Sequence, residues 1–341
     1  MRILFVAERS AGHIFPALTL AKKFKKNHKV YFFLTNPFFK KILIKEDFYL
    51  CGKFFLFRNL FLEGFYRFIE AIYLLFKIRP HRIIGFGGRD SFFLILLGSL
   101  LGIKTAIYEL NLNLGKANRI LSFFSSNIFS VFKETIKGKK VKVIGVPLRE
   151  NIKKIDRKEA QKFLNFDNLP TIMCLGGSSG SSFINKIFLK LIEELKEEFQ
   201  IIHLTGEREY FEILPFYNKI KKRKFIKDFY YSMQTLYSIA DLVICRAGAS
   251  TLAEISYYQI PSILIPYPGA DGHQKKNALY FKEKGTAIVF FEENFCFERF
   301  KNAVEELLFK SYLREKIINA LKKIKSGISY EEIDNINFSF F

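Results

Sequence analysis

An apolar run, Asp241-Leu242-Val243-Ile244-Cys245, leads into the small-residue turn Arg246-Ala247-Gly248 and then into Ala249-Ser250-Thr251-Leu252-Ala253-Glu254. The first part has the composition of a strand buried on both faces, as in a parallel sheet. The turn is lined by small residues that let a ligand approach the backbone. The helix it opens offers its first N–H groups to an anion. Glu254, one turn further along, is placed to accept hydrogen bonds from a vicinal diol such as a ribose. Few folds other than a parallel α/β sheet accommodate this unit, and its chemistry suits a nucleotide.

The rest of the chain alternates in the same way. Strands are expected over 3–7, 29–34, 82–85, 105–108, 127–131 and 142–144, with helices over 15–26, 62–76, 91–101 and 116–121. The second half has expected strands over 171–175, 200–204, 224–226, 241–245, 262–265 and 287–290. Its helices are expected over 183–199, 232–238 and 274–284, and from 297 to 325. This alternation predicts an α/β protein of two doubly wound, Rossmann-like domains, with the crevice at their strand ends as the ligand site. Glycine and proline punctuate Gly145-Val146-Pro147-Leu148-Arg149, which places the boundary there. The expected division is an N-terminal domain over 1–147, a C-terminal domain over 148–325, and a segment over 326–341 that returns to the first domain. No internal repeat is visible.

Charge is uneven. Residues 1–150 carry 26 Lys and Arg against 9 Asp and Glu, whereas the remainder carries 28 against 24. The basic half interleaves aromatics, as in Phe65-Tyr66-Arg67-Phe68. That combination suits an anionic membrane surface or nucleic acid, or simply reflects a Lys- and Phe-rich composition. No nucleic-acid-binding motif is present, so nucleic acid is not an expected partner. The longest uncharged apolar stretch, 91–103, is too short to span a bilayer, and the opening run 1–7 reads as a strand rather than a targeting segment. Four scattered cysteines form no pair and no Cys/His cluster. Neither a metal nor a cofactor is expected.

Three further segments carry candidate chemistry. Gly176-Gly177-Ser178-Ser179-Gly180 follows an apolar strand and precedes a helix, a context for phosphate binding or for a tight turn without ligand. Asp271-Gly272-His273-Gln274-Lys275-Lys276-Asn277 offers directional donors and acceptors suited to sugar hydroxyls, or is a capped solvated loop. His13 stands at the start of the first helix, where an imidazole serves as a general base or as a structural residue.

The order of these motifs resembles the MurG family within glycosyltransferase family 28, bacterial enzymes that add N-acetylglucosamine to lipid I. The matching segments include Ala11-Gly12-His13-Ile14-Phe15-Pro16, Gly85-Phe86-Gly87-Gly88, Glu109-Leu110-Asn111, Gly115-Lys116-Ala117-Asn118-Arg119 and Gly145-Val146-Pro147-Leu148-Arg149. They continue with the glycine-serine loop at 176–180, the run 240–254 and His273-Gln274-Lys275-Lys276-Asn277-Ala278. The resemblance implies a GT-B fold and an inverting hexosyltransferase that needs no metal in its chemistry. Its substrates would be UDP-N-acetylglucosamine and lipid I. It would work peripherally at the cytoplasmic face of the plasma membrane, with the basic aromatic segment around 62–79 against the anionic surface.

Site roles follow from the same resemblance. Glu254 would hold the ribose, Ala249, Ser250, Thr251 and Leu252 would meet the diphosphate, and the backbone at Phe229-Tyr230 the uracil. Gln274 and Asn277 would read the sugar hydroxyls, with Ala253 and His273 as further substrate-binding positions. Ser178, Arg149, Asn111 and the loop Ser10-Ala11-Gly12 would approach the nucleotide-sugar, and His13 would take the acceptor proton. The chain departs from the family in its first loop. Gly-Gly-Thr-Gly-Gly-His becomes Glu8-Arg9-Ser10-Ala11-Gly12-His13, and His-Glu-Gln-Asn becomes Tyr108-Glu109-Leu110-Asn111. The altered loop motivates an alternative, a related transferase with another lipid acceptor. A weakly catalytic UDP-sugar-binding protein is the other alternative, opposed by retention of His13 and Glu254.

Overall fold

The computed structural model describes residues 1–7, 11–44, 46–52, 60–138, 140–177, 180–269 and 272–336. The chain divides into two compact units, Met1–Arg149 with Gly327–Phe341, and Glu150–Ser326.

The first unit contains β1 (Arg2–Val6), α1 (Ala11–Lys25), β2 (Lys29–Phe33), α2 (Pro37–Ile44), β3 (Tyr49–Cys51) and α3 (Leu60–Ile78). It continues with β4 (Arg82–Gly85), α4 (Arg89–Leu100), β5 (Lys104–Glu109), α5 (Lys116–Phe124), β6 (Asn127–Ser130), β7 (Val141–Val143) and β8 (Val146–Pro147). Seven strands pair in parallel in the order β3-β2-β1-β4-β5-β6-β7. Both sheet faces are covered, so β1 is apolar throughout, with Ile3, Leu4, Phe5 and Val6 fully buried. Strand alternation sends Leu4 and Val6 to the face where Ile83, Ile107 and Ile128 pack with Leu74, Leu94 and Leu121 of α3, α4 and α5. Phe5 points the other way, into a row of buried rings. Phe32, Phe5, Phe86, Tyr108 and Phe129 follow one another with centroid separations of 6.3, 6.4, 5.0 and 5.6 Å.

The second unit contains α6 (Arg157–Leu164), β9 (Thr171–Leu175), α7 (Ser182–Glu194), β10 (Gln200–Leu204), α8 (Tyr210–Asn218), β11 (Lys224–Lys227) and α9 (Met233–Ile239). After these come β12 (Leu242–Cys245), α10 (Ala249–Tyr258), β13 (Ser262–Leu264), α11 (His273–Glu283), β14 (Ile288–Val289), α12 (Phe297–Phe309) and α13 (Ser311–Leu321). Its six parallel strands run β11-β10-β9-β12-β13-β14. The chain then re-enters the first unit through β15 (Gly327–Ile328), which pairs with β8.

Several elements differ from the sequence expectation. Helix α1 starts at Ala11 rather than 15 and carries Pro16 in its second turn, where the ring forgoes only one helical hydrogen bond. Helix α7 stops at Glu194 because Leu195 turns to extended backbone (φ −76°, ψ 122°). Burial of Leu195 and Phe199 outweighs the helix propensity of the Lys-Glu-Glu run between them. The expected helical stretch 297–325 breaks at Lys310, which is extended between α12 and α13. Elements α2, β3, α6, α8, β8 and β15 have no counterpart in the sequence expectation.

Both sheets reverse their winding beside the first strand of the unit, at β1/β4 and at β9/β12. Parallel α/β sheets bind ligands outside the strand ends at such a reversal. The described residues there are 86–88 in the first unit, and 176–177, 180–181 and 246–248 in the second.

Candidate active site

In the second unit, β9 and β12 lie side by side, with Cys245 paired to Leu175. Their outgoing loops are therefore neighbours. Gly176 follows β9 with Ser181 N only 2.5 Å from where a Cβ would sit, so this position excludes any side chain. Ser181 caps α7, its Oγ accepting from Ile184 N–H at 3.3 Å. Ser178, with Ser179, falls outside the described residues, as do Ser10, Glu8, Arg9 and Asp271.

Gly248 caps α10 in extended backbone (φ −71°, ψ 137°), and the first turn has no acidic side chain. The positive end of the helix dipole is thus not neutralised locally. Ser250, Thr251 and Glu254 share a helix face by their spacing and are partly exposed. Leu252 and Ala253 are fully buried, and Leu252 N–H already donates to Gly248 O at 3.0 Å. In this first turn Ala249, Ser250 and Thr251 are the residues left partly exposed. The Glu254 carboxylate is oriented by Tyr237, whose hydroxyl donates to Oε2 at 2.9 Å.

Arg246 ties the strand ends together. Its Nη2 donates to Ser181 Oγ at 2.6 Å and its Nη1 to Ile265 O at 3.1 Å. Its guanidinium also pairs with the Glu292 carboxylate and lies over the Tyr267 ring at 5.6 Å. One side chain on the loop after β12 thus reaches the loops after β9, β13 and β14.

Asn277 is fully buried, and its Nδ2 donates to Ala247 O at 3.2 Å. It braces the turn from α11. Gln274 and His273 are partly exposed in the first turn of α11, and Gln274 Oε1 accepts from Tyr267 N–H at 3.0 Å. Tyr230 follows β11, its ring edge-on to Phe225 at 5.0 Å. Beneath these loops, buried His203 bonds Tyr217 Oη at 2.7 Å and Asn185 Oδ1 at 3.0 Å. Asn185 Nδ2 donates on to Thr205 O and to Glu209. Desolvation lowers the His203 pKa to about 3, so this imidazole is neutral and structural.

In the first unit, His13 lies in the first turn of α1. Its ring packs on Gly87, with Cε1 and Nδ1 3.5 and 3.7 Å from where a Cβ there would lie. Asn118 Nδ2 is 3.4 Å from the same point, so the α1, β4 and α5 loops converge. Glu109 organises the next loop. Its buried carboxylate accepts from Asn111 N at 3.0 Å, Asn111 Nδ2 at 3.2 Å, Gly115 N at 3.0 Å and Asn118 Nδ2 at 2.9 Å. Such a density of donors compensates the burial of a charge. Asn111 is thereby fixed, and Ala11 and Gly12 lead into His13. Arg149 is buried, its guanidinium 4.7 Å from the centre of the Phe15 ring.

Sequence reasoning assigned no role to Arg246, Tyr237 or Glu109. Arg246 stood within the motif, but its partners are more than 15 residues away in every direction. Among the described residues, no cluster of three or more His, Cys, Asp or Glu could hold a metal ion.

The outer face of α3 adds a different feature. Phe61, Phe65, Ile69, Tyr73 and Phe76 recur at helical spacing and are exposed, Phe61 to 79%. Beside them, Leu100 and Leu101 end α4, and Ile120 and Phe123 protrude from α5. Lys77, Lys104, Lys116 and Arg119 are exposed among them. Helix α3 packs on α4 and α4 on α5, so these exposed apolar and cationic side chains belong to neighbouring helices. Among the described residues, no helix is long and apolar enough to cross a membrane.

Residues 3–130 match the glycosyltransferase family 28 N-terminal domain and residues 171–330 the glycosyltransferase family 28 C-terminal domain. A protein of Caldanaerobacter subterraneus subsp. tengcongensis is 31% identical over 97% of this chain and 98% of its own length. One of Halothermothrix orenii is 34% identical over 95% of each. Both are named UDP-N-acetylglucosamine--N-acetylmuramyl-(pentapeptide) pyrophosphoryl-undecaprenol N-acetylglucosamine transferase. Among solved structures, MurG of Acinetobacter baumannii superposes with a TM-score of 0.77 at 22% identity, covering 98% of both chains. The calicheamicin glycosyltransferase CalG4 gives 0.70 at 11% identity, over 99% of this chain and 98% of the other. The fold is GT-B, as the motif order implied.

Proposed function

The chain belongs to glycosyltransferase family 28, and from that premise we propose that it moves N-acetylglucosamine from UDP-N-acetylglucosamine to lipid I, forming lipid II for peptidoglycan. It is a hexosyltransferase. The observation that carries the donor assignment is the β12–α10 unit at the winding reversal, with Glu254 held by Tyr237 one turn beyond a helix start that has no side-chain cap. The first turn of α10 receives the diphosphate and Glu254 the ribose hydroxyls. The loop at Tyr230 receives the uracil, and Gln274 with His273 meets the sugar.

In the reaction, the acceptor hydroxyl attacks the anomeric carbon as its bond to the diphosphate oxygen breaks. UDP leaves and the configuration inverts. His13 takes the hydroxyl proton, while the α10 N-terminus and Arg149 stabilise charge growing on the leaving group. The exposed apolar face of α3, α4 and α5, with its lysine and arginine border, seats the protein on the anionic cytoplasmic leaflet where lipid I resides. Relatives aligned over nearly the whole chain favour lipid I over another lipid acceptor.

Calorimetric titration tests the donor assignment. UDP-N-acetylglucosamine should bind saturably and be displaced by UDP but not by ADP. Absence of binding at millimolar nucleotide sugar would overturn the reading.

A further inference from the structure

Tyr108 is the one member of the buried aromatic row with a polar end. It is 1% exposed, and its hydroxyl donates to Gly145 O at 2.8 Å, with Ile144 O at 3.3 Å. Burial pushes the phenol pKa far up, so the group remains a protonated donor. The two carbonyls begin the segment that passes through β8 to Arg149.

That segment is gripped along its length. Ile144 N–H donates to Ser130 O at 2.8 Å, and Leu148 N–H donates to Ile328 O at 2.9 Å. Gly145 has the Gly327 carbonyl carbon 2.8 Å from where a Cβ would lie, so the returning strand β15 occupies that side. Tyr108 holds the segment from within the first sheet. At the far end, the Arg149 guanidinium rests over Phe15 of α1, the helix that carries His13. Tyr108 also stacks on Phe86 at 5.0 Å and 12°, immediately before the Gly87 that His13 packs against.

We propose that Tyr108 is a positioning residue for the transfer reaction: its bond to the Gly145 carbonyl fixes the 145–149 segment and thereby seats Arg149. The proposal rests on the reading of Arg149 as a group that stabilises the leaving diphosphate.

The test is steady-state transfer to lipid I by the wild type, Tyr108→Phe, Tyr108→His, Arg149→Ala and the Tyr108→Phe/Arg149→Ala double variant, each checked by thermal melting. Removing the hydroxyl alone should lower kcat about tenfold, the worth of one hydrogen bond, and change KM for the nucleotide sugar by less than about twofold. Tyr108→His, whose shorter ring cannot reach the Gly145 carbonyl, should lose kcat as Tyr108→Phe does. In the Arg149→Ala background, Tyr108→Phe should cost nothing further, because there is no arginine left to seat. Full activity of Tyr108→Phe, or the same loss in both backgrounds, overturns the proposal. If Tyr108→Phe does not fold, Tyr108→His carries the test, and a large kcat loss that persists without Arg149 contradicts it. Wild-type kcat in Arg149→Ala alone defeats the reading of Arg149 and the proposal with it, a result distinct from additivity.

Discussion

The Tyr237 hydroxyl donates to Glu254 Oε2 at 2.9 Å, joining a buried tyrosine of α9 to the carboxylate one turn into α10. The bond fixes the carboxylate rotamer before any ligand arrives, so less conformational entropy is lost on binding. Glu254→Ala should therefore weaken UDP-N-acetylglucosamine binding by about 2–3 kcal/mol, with Tyr237→Phe losing about 1 kcal/mol. Calorimetric titration of both variants checks the order. A Tyr237→Phe protein that binds as weakly as Glu254→Ala would mean that Tyr237 does more than orient the carboxylate.

Arg246 holds the loops after β9, β13 and β14 through Ser181, Ile265 and Glu292. Lysine cannot reproduce this planar, multi-donor geometry. Arg246→Lys should raise KM for the nucleotide sugar and lower stability by about 1–3 kcal/mol, because polar partners are left unpaired. Glu292→Gln, which removes the charge and keeps the shape, should have a smaller effect in the same direction. Denaturant melts and initial rates together distinguish this from direct ligand contact, which would leave stability untouched.

His203 predicts an acid sensitivity. Its folded pKa is about 3, below the ordinary 6.5, so the unfolded chain binds a proton that the folded chain refuses. Stability from this group is complete above pH 6.5 and falls as pH drops from there toward 3, by about 1.4 kcal/mol per unit. His203→Gln should flatten that slope in pH-dependent denaturant melts. An unchanged slope would show that His203 does not govern it.

The exposed face of α3 predicts surface binding. Replacing Phe61 and Phe65 by serine removes two rings that each contribute about 1.5–3 kcal/mol when buried in an interface. Co-sedimentation with anionic vesicles should fall by at least about tenfold, with UDP-N-acetylglucosamine affinity unchanged. Equal sedimentation of variant and wild type would place the membrane contact elsewhere.

The β12–α10 unit was legible in the sequence because each of its parts is local: an apolar run, a small-residue turn and a carboxylate at helical spacing. The same holds for most strands of both sheets. Elements β8 and β15 were not legible, since each exists only by pairing with a segment nearly 200 residues away. Arg246 and Tyr237 were invisible for a related reason, as their partners meet them only in the folded unit. Leu252, Ala253 and Asn277 show the converse. Motif membership put them at the ligand, while helix phase and burial turn them into the core. Tyr108 stood only as a departure from the family motif, and the fold shows its hydroxyl engaged with Gly145.

Acceptor use tests the assignment of lipid I most directly. Purified protein, labelled UDP-N-acetylglucosamine and either lipid I or a diacylglycerol acceptor in detergent should give transfer to lipid I alone. Transfer to diacylglycerol with none to lipid I would contradict it.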